Sequence, residues 1–433
     1  MEKSGFYKTV PNITDAKAGS AKNAEQKGGF LESYSRQKLD PGDPAVFRDR
    51  ILEFVRNNKL VAEALIAGNI QMLGFSEVRK MFGERWPAIK DKVQLLAETT
   101  IRKYVTPVDV FLVIDEEQIV ILFGRSTHAE ATEKSERIAR EISEKLSGVS
   151  GIEEGLVTCR ALVLEIPGEN AAEMLATPEA LSGTVAAVQR SAEQAEKDSF
   201  QQMEAELRIA YWPMVNIRKK LISAYSASVV LPLWKTSGQE RDKRTGVFEC
   251  ELDGFTLAHA GQAMLRAGHS RRALLLVPVH FDTLAIKPFR TQFIAACQLL
   301  PRISSKRLLL EIVDLPDGVP QGRLHTMFSY VAPFFAGFVG RQDMAFRNPQ
   351  RFTGLKMIAL STDGSHVGTP NREDVVQMQG FAAAAGKARM RSVFYGASTF
   401  EAATAAKRTH FDYIQGAAVA PAVSEPGRVF VLK

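Results

Sequence analysis

The chain has 433 residues, of which 45% are hydrophobic and 24% are charged, with a formal net charge of +6. This composition is typical of a soluble globular protein, and the length predicts two domains rather than one core. No apolar run approaches the roughly 20 residues of a membrane span, and the polar start lacks the apolar core of a signal peptide. We therefore expect a cytoplasmic protein.

Charge and cysteines exclude further classes. The basic residues are spread along the sequence without an arm or stripe, so nucleic acid is not expected as a partner. Cys159, Cys250 and Cys297 are scattered and predict neither a disulfide framework nor a zinc site.

The N-terminal part divides into two segments. Residues 1–42 are rich in Lys, Ser, Gly and Asn and are predicted to be disordered. A helix over residues 43–69 should follow, because Asp43 can cap it and Pro44 suits its first position. Gly68-Asn69 is predicted to end this helix.

Residues 70–168 predict an α/β domain. A strand starts at Ile70, and two apolar runs, Val108–Ile114 and Ile119–Phe123, should form a hairpin around the acidic turn between them. An amphipathic helix over 127–147 and a strand over 156–166 complete it.

The domain resembles the GGDEF diguanylate cyclase fold through the packing residues Phe75, Val78, Phe82 and Gly83. The family's metal-binding aspartates would fall at Gln71 and Leu73, its guanine-contacting Asn at Arg79, and its signature turn at Asp115-Glu116-Glu117-Gln118. This resemblance implies a degenerate domain without cyclase activity. For the acidic turn, a solvated hairpin tip and a relict metal-binding turn both remain open.

Residues 169–207 predict a helical linker. Its apolar positions repeat at spacings of four and three, at Leu181, Val185, Val188, Ala192 and Ala195. Such a stripe suits either packing on the chain's own domains or the seam of a homodimer, and the sequence does not choose between them.

Residues 208–433 open with a hairpin around Arg218 to Lys220 and then alternate apolar strands with helices, as in a βα barrel or a doubly wound sheet. The closing stretch Phe411-Asp412-Tyr413-Ile414-Gln415-Gly416, with Ala420-Pro421, resembles that of the EAL domain, the cyclic di-GMP phosphodiesterase. The resemblance implies an EAL-like βα barrel of TIM type, with its site at the carboxyl ends of the strands.

The resemblance also implies that the family's acidic metal ligands are mostly lost. The Glu-Ala-Leu triplet stands as Ser226-Ala227-Ser228, a metal-binding Asn as His280, and the paired aspartates fall in Ala336–Arg341. Glu311 is retained, and the Leu-Lys-Ile-Asp strand is matched to Leu355-Lys356-Met357-Ile358. A later pair of glutamates that flank a Gly falls on Tyr395-Gly396-Ala397-Ser398.

Hydrolysis of a phosphodiester by this family needs two metal ions held by several carboxylates. We therefore expect no enzyme activity and no cofactor. A single zinc ion held by His280, Glu311 and Asp282 is a weaker possibility, because a stable site needs three or four protein ligands.

We expect a non-catalytic regulatory or scaffold protein of bacterial cyclic di-GMP-type signalling, which binds protein partners through its EAL-like domain. A cyclic di-GMP receptor that does not hydrolyse its ligand is the alternative. The candidate contacts for that ligand are Glu311, Lys356, Gln415, Gly416 and Pro421. An enzyme of changed chemistry would need a nucleophile and base that the sequence does not reveal.

Overall fold

The computed structural model describes most of the chain in two α/β parts. It covers Asp49, Leu52 and Arg56 and residues 64–73, 83–106, 108–115, 117–146, 158–167, 177–230, 245–266, 273–316, 319 and 321–432. The segment 1–42 and the packing residues Phe75, Val78 and Phe82 lie outside the described residues. In the described residues no helix is long and apolar enough to cross a membrane.

The first domain is a four-stranded antiparallel sheet in the order β2-β3-β1-β4. Its elements are β1 (Ala64–Leu73), α1 (Trp86–Ile101), β2 (Val110–Val113), β3 (Gln118–Phe123), α2 (His128–Leu146) and β4 (Thr158–Pro167). The predicted hairpin is thus confirmed as β2 and β3, the predicted amphipathic helix as α2, and the last strand as β4.

The predicted end of the N-terminal helix at Gly68-Asn69 is wrong, because both residues lie inside β1. Gly68 does not end a helix. A Cβ on Gly68 would lie 2.5 Å from the Ser135 hydroxyl of α2 and 2.8 Å from the Phe123 ring. The glycine is therefore explained by close packing of α2 against the sheet, not by a helix end.

Both faces of this sheet are covered. Ile119, Ile121 and Phe123 of β3 pack with α1 and α2, whereas Val120 and Leu122 face the other side. That side is covered by helix α3 (Pro178–Glu204), whose Leu181 and Val185 are fully buried there and whose Val188 packs beside them. Leu181, Val185 and Val188 thus pack on the chain's own domain, whereas Ala192 and Ala195 lie outside this cluster.

The second domain is a closed β-barrel. Its elements are β5 (Arg208–Asn216), β6 (Leu221–Val230), α4 (Val247–Arg266), β7 (Leu274–His280), α5 (Phe281–Ala285), α6 (Lys287–Gln298), α7 (Ser304–Arg307), β8 (Leu308–Val313), α8 (Gln321–Val331), β9 (Gly337–Arg341), β10 (Met357–Asp363), α9 (Arg372–Lys387), β11 (Arg391–Tyr395), α10 (Phe400–Arg408), β12 (Tyr413–Ile414) and β13 (Phe430–Val431). Strands β6 to β12 run parallel in sequence order, and β5 closes the ring between β12 and β6.

Strand β5 is antiparallel to both of its neighbours. A TIM-type barrel has eight parallel strands, so in the part of the chain that the structure describes this barrel departs from that type in one strand. The hairpin turn predicted around Arg218 to Lys220 explains the departure, since a short hairpin can join only antiparallel strands. Lys220 has a φ of 50°, which places it in the left-handed region of a tight turn.

The parallel strands give the barrel two distinct rims. We call the rim at the carboxyl ends of β6 to β12 the mouth, and the rim at their amino ends the base. The first domain touches the mouth side, where Arg160 of β4 donates to the Thr245 carbonyl and lies 3.5 Å from the Asp282 carboxylate. Glu196 of α3 also accepts from the backbone N–H of Phe248, 3.0 Å away, in the first turn of α4.

Candidate functional site

A polar layer lies at the mouth of the barrel, above an apolar layer. Because side chains alternate along a strand, residues two apart share a face. Leu309, Val339, Ala359 and Val393 pack together as one apolar cluster. The residues two positions further along the same four strands are Glu311, Arg341, Ser361 and Tyr395, which therefore form the next layer towards the mouth.

Glu311 is the centre of this layer and is only 1% exposed. Its two carboxylate oxygens accept from Arg341, with Oε2 2.8 Å from Nη2 and Oε1 3.3 Å from Nε. The Ser361 hydroxyl donates to Oε1 at 2.5 Å. Glu311 thus has a bidentate guanidinium partner and a hydroxyl donor.

Arg341 lies between this buried acid and the mouth. Its side chain is 37% exposed, and its guanidinium carbon lies 5.1 Å from the centre of the Tyr395 ring. Burial acts to lower the pKa of Arg341, but the charge of Glu311 outweighs it and the pKa is raised. Arg341 is therefore a permanent cation, in the stretch Ala336–Arg341 that the sequence analysis matched to paired aspartates.

Tyr395 closes the layer on the far side. Its ring is buried, and burial followed by the negative charge of Glu311 raises the pKa of its phenol well above the usual value. Tyr395 therefore stays neutral and offers no charge to a metal ion.

A second polar group surrounds His280 at the end of β7. Its backbone N–H and its ring Nδ1 each lie 2.8 Å from the Asp253 carboxylate, which also accepts from the Thr283 hydroxyl at 2.6 Å. On the other side of the ring, Nε2 lies 3.8 Å from Asp314. Burial lowers the pKa of His280, but the two aspartates more than offset this and the pKa is raised.

The proposed zinc ligands are divided between these two groups. Glu311 pairs with Arg341, Nδ1 of His280 faces Asp253, and Asp282 lies 3.5 Å from Arg160. Among the residues that the structure describes, no cluster of three or more His, Cys, Asp or Glu side chains could hold a metal ion. The zinc hypothesis receives no support from this arrangement.

Lys356 does not lie at the mouth, so its assignment as a pocket contact is wrong. It precedes β10 at the base, and its Nζ donates to the Phe335 carbonyl at 3.2 Å. The sequence match placed the Leu-Lys-Ile-Asp motif five residues too close to the amino end, because β10 continues to Asp363. The strand ends in Leu360-Ser361-Thr362-Asp363, which has a Ser where that motif has Lys and an Asp where it has Asp. Asp363 is exposed and accepts from the Ser365 N–H at 2.8 Å.

The closing motif is placed at the mouth. Gln415 is buried, and its side-chain oxygen accepts from the Gly396 N–H at 3.2 Å, next to Tyr395. Gly416 has a φ of 152°, and a Cβ there would lie 2.3 Å from the Ala397 carbonyl. Close packing therefore explains Gly416 without any ligand. Pro421 is exposed in the segment that follows.

The remaining sequence predictions concern single positions. Ser226 is buried on β6, two residues beyond Ala224 of the apolar cluster, so it faces the barrel interior in place of the family's Glu. In the first domain Asp115 accepts from the Glu117 N–H at 2.7 Å, as turn residues commonly do. All three cysteines are free.

Sequence reasoning missed Arg341 and Ser361 as partners of Glu311. A signal was present, because each stands two residues after an apolar residue of a buried strand, as Glu311 does. Using that signal requires the register between strands, which pairs Glu311 with Val339 of β9. The sequence alone does not fix that register.

Comparisons with known proteins place the chain near one group of structures. No family model matches it, and no curated protein matches it in sequence. It is similar to the Vibrio cholerae LapD S helix-GGDEF-EAL structure bound to cyclic di-GMP, at 10% identity and a TM-score of 0.47, over 92% of this chain and 99% of that one.

Two separate EAL domains are also similar to part of the chain. The EAL domain of Mycobacterium smegmatis DcpA shows 18% identity and a TM-score of 0.38, over 50% of this chain and 93% of that one. The Xanthomonas citri FimX EAL domain in complex with cyclic di-GMP shows 16% identity and a TM-score of 0.39, over 53% of this chain and 96% of that one.

Proposed function

We propose that this chain is a non-catalytic regulatory protein of bacterial cyclic di-GMP-type signalling, which acts by binding a protein partner through its EAL-like half. The observation that carries the proposal is the Glu311–Arg341 pair. An internal guanidinium takes both oxygens of Glu311, an acid that the sequence match assigns to the metal-binding set, and Ser361 adds a third hydrogen bond.

Charge explains why this pair opposes catalysis. A divalent ion beside Glu311 would meet the fixed positive charge of Arg341, and like charges at a few ångströms repel strongly where water is scarce. Binding the ion to Glu311 would also mean giving up the two hydrogen bonds from Arg341 to that carboxylate. Asp363, at the end of β10, is a second acid close to Arg341, and these two acids are few for a two-metal site.

The first domain supports the same reading. The positions matched to its metal-binding aspartates, Gln71 and Leu73, lie in β1 and carry no charge. Neither supplies the carboxylate that would balance the charge of the Mg²⁺ bound to a triphosphate substrate. We therefore propose that both halves serve as binding modules.

The catalytic part of the proposal is tested with the full chain. Purified protein is incubated with cyclic di-GMP, and separately with GTP, in the presence of Mg²⁺ or Mn²⁺, and the nucleotides are separated by chromatography. We expect no linear dinucleotide and no cyclic di-GMP synthesis above a protein-free control. Linear product that disappears in Glu311→Gln would refute the proposal.

The partner is sought by capture from a bacterial lysate, with the full chain as bait. We expect a specific protein to be retained, and its capture to survive Glu311→Gln, since that change lies beneath the mouth. If a charged competitor displaces everything that is retained, or if nothing is retained, the result would count against a protein-binding role.

A metal-free cyclic di-GMP receptor is the second candidate. It is favoured by the exposed part of Arg341, because a guanidinium at the mouth suits a phosphate. Calorimetry with cyclic di-GMP in the absence of divalent ions separates the two. We expect no saturable heat. Saturable binding that Arg341→Met or Gln415→Ala removes would favour the receptor.

A further inference from the structure

The base of the barrel is a strongly basic surface, although the sequence shows no basic stripe. The amino ends of seven parallel strands and the last turns of the intervening helices meet there, and many of them carry Lys or Arg. The exposed ones in the described residues are Arg218, Lys219, Lys220, Arg266, Arg302, Lys306, Lys387, Arg389, Arg391, Lys407, Arg408 and Arg428.

Acidic residues are almost missing from the same described segments. In residues 216–222, 264–266, 298–308, 353–357, 387–392, 405–413 and 425–432 the acids are Asp412 and Glu425. Asp412 is buried and pairs with Arg391 at 3.0 Å, and Glu425 lies 3.2 Å from Arg266. The base therefore keeps a large positive excess after its ion pairs are counted.

Large apolar side chains are exposed on the same rim. Leu265 and Leu299 stand at the ends of α4 and α6, and Leu299 is 88% exposed. Phe430 and Val431 of β13 pair with the first residues of β6, directly beside Lys220, and Phe430 is 57% exposed. Such residues in water are costly unless another apolar medium covers them.

Helix dipoles explain only part of this arrangement. Cations near the last turn of a helix are stabilising, which accounts for Lys387, Lys407 and Arg408. Arg218 to Lys220 lie in a hairpin, however, where no helix dipole acts on them. A helix dipole also does not explain why Leu299 and Phe430 are exposed.

We infer that the base is a docking surface for a bilayer rich in anionic phospholipid. Lys and Arg are attracted to anionic headgroups, while aliphatic and aromatic side chains between them enter the boundary of the acyl chains. Nucleic acid fits less well, because it would leave the leucines and the valine in water. The contacts with the first domain, at Thr245 and Asp282, fall on the mouth side and leave this orientation open.

This inference is independent of the proposed function and is tested by vesicle sedimentation of the full chain. Vesicles of phosphatidylcholine with phosphatidylglycerol are compared with pure phosphatidylcholine at low and high salt. We expect binding to the anionic vesicles only, weakened by salt because exposed charges are screened.

Two variants probe the two kinds of contact. Lys219→Glu, Lys306→Glu and Lys407→Glu together should weaken vesicle binding by roughly a hundredfold, since each basic residue contributes roughly fivefold. Leu299→Ser with Phe430→Ser, which leaves the charge unchanged, should weaken it about tenfold. Thermal melting checks that both variants fold.

The matched control is Lys92→Glu, Arg140→Glu and Lys287→Glu, which changes the net charge by the same amount at exposed positions away from the base. We expect it to retain vesicle binding within about threefold of the parent chain. Equal losses in both triple variants, or no binding to anionic vesicles, would overturn the inference. So would tight binding of a single-stranded RNA that the base triple abolishes and the apolar double leaves intact.

Discussion

Replacing Arg341 with Met should destabilise the barrel by leaving Glu311 charged and buried. Breaking a buried ion pair from one side costs about 3 to 5 kcal/mol. We expect the lower end, about 3 kcal/mol, because the Ser361 hydroxyl still donates to the carboxylate. The reverse change, Glu311→Gln, should cost only about 1 kcal/mol, because Arg341 is partly exposed and can turn to water.

The double variant Glu311→Met, Arg341→Met carries no uncompensated charge. Apolar replacements of similar volume are often neutral, so its stability should lie within about 1 kcal/mol of the parent, which corresponds to a coupling energy of about 3 kcal/mol.

The assay is urea unfolding followed by both fluorescence and circular dichroism, because a two-domain chain need not unfold in one step. Arg137→Met is the matched control. Arg137 lies 2.5 Å from Glu133, but both side chains are exposed, so its removal should cost less than about 0.5 kcal/mol. The reasoning is refuted if Arg341→Met costs no more than this control, or if the double variant is as unstable as the single one.

Three further predictions follow from the same structure. The pKa of His280 is raised in the fold. The stability that protonated His280 contributes is therefore present below its unfolded pKa and is lost as the pH rises through its folded pKa. Melting from pH 6 to 9 should show this loss of stability, and Asp253→Asn should remove the pH dependence. Val185→Glu should lower the free energy of unfolding of the first domain by about 3 kcal/mol, and with it the melting temperature, without changing the mass in solution. A drop from dimer to monomer mass would restore the dimer seam. Gly416→Ala should lower the free energy of unfolding by about 2 kcal/mol, because of the φ of Gly416 and the close Ala397 carbonyl. Gly368→Ala, with open space around it, should be neutral. Equal effects of the two changes in urea unfolding would contradict this.

The strand and helix order could be predicted because each element has its own periodicity. The hairpin of β2 and β3 and the amphipathic α2 lie within a few residues of their predicted ends. The boundaries that failed depend on other parts of the chain. Gly68 is a strand residue because α2 packs tightly on it, and Lys356 lies at the base because β10 continues five residues beyond the matched motif, to Asp363.

The sequence supplies the chemical groups of the site, including the acid Glu311 and the serine at position 226. The contact of Arg341 with both oxygens of Glu311 arises only in the fold, since it spans 30 residues and depends on the register of two parallel strands. The positive charge at the base of the barrel also arises only in the fold. Its cations are scattered along more than 200 residues of sequence, and parallel strands bring their amino ends to one rim because every strand crosses the barrel in the same direction.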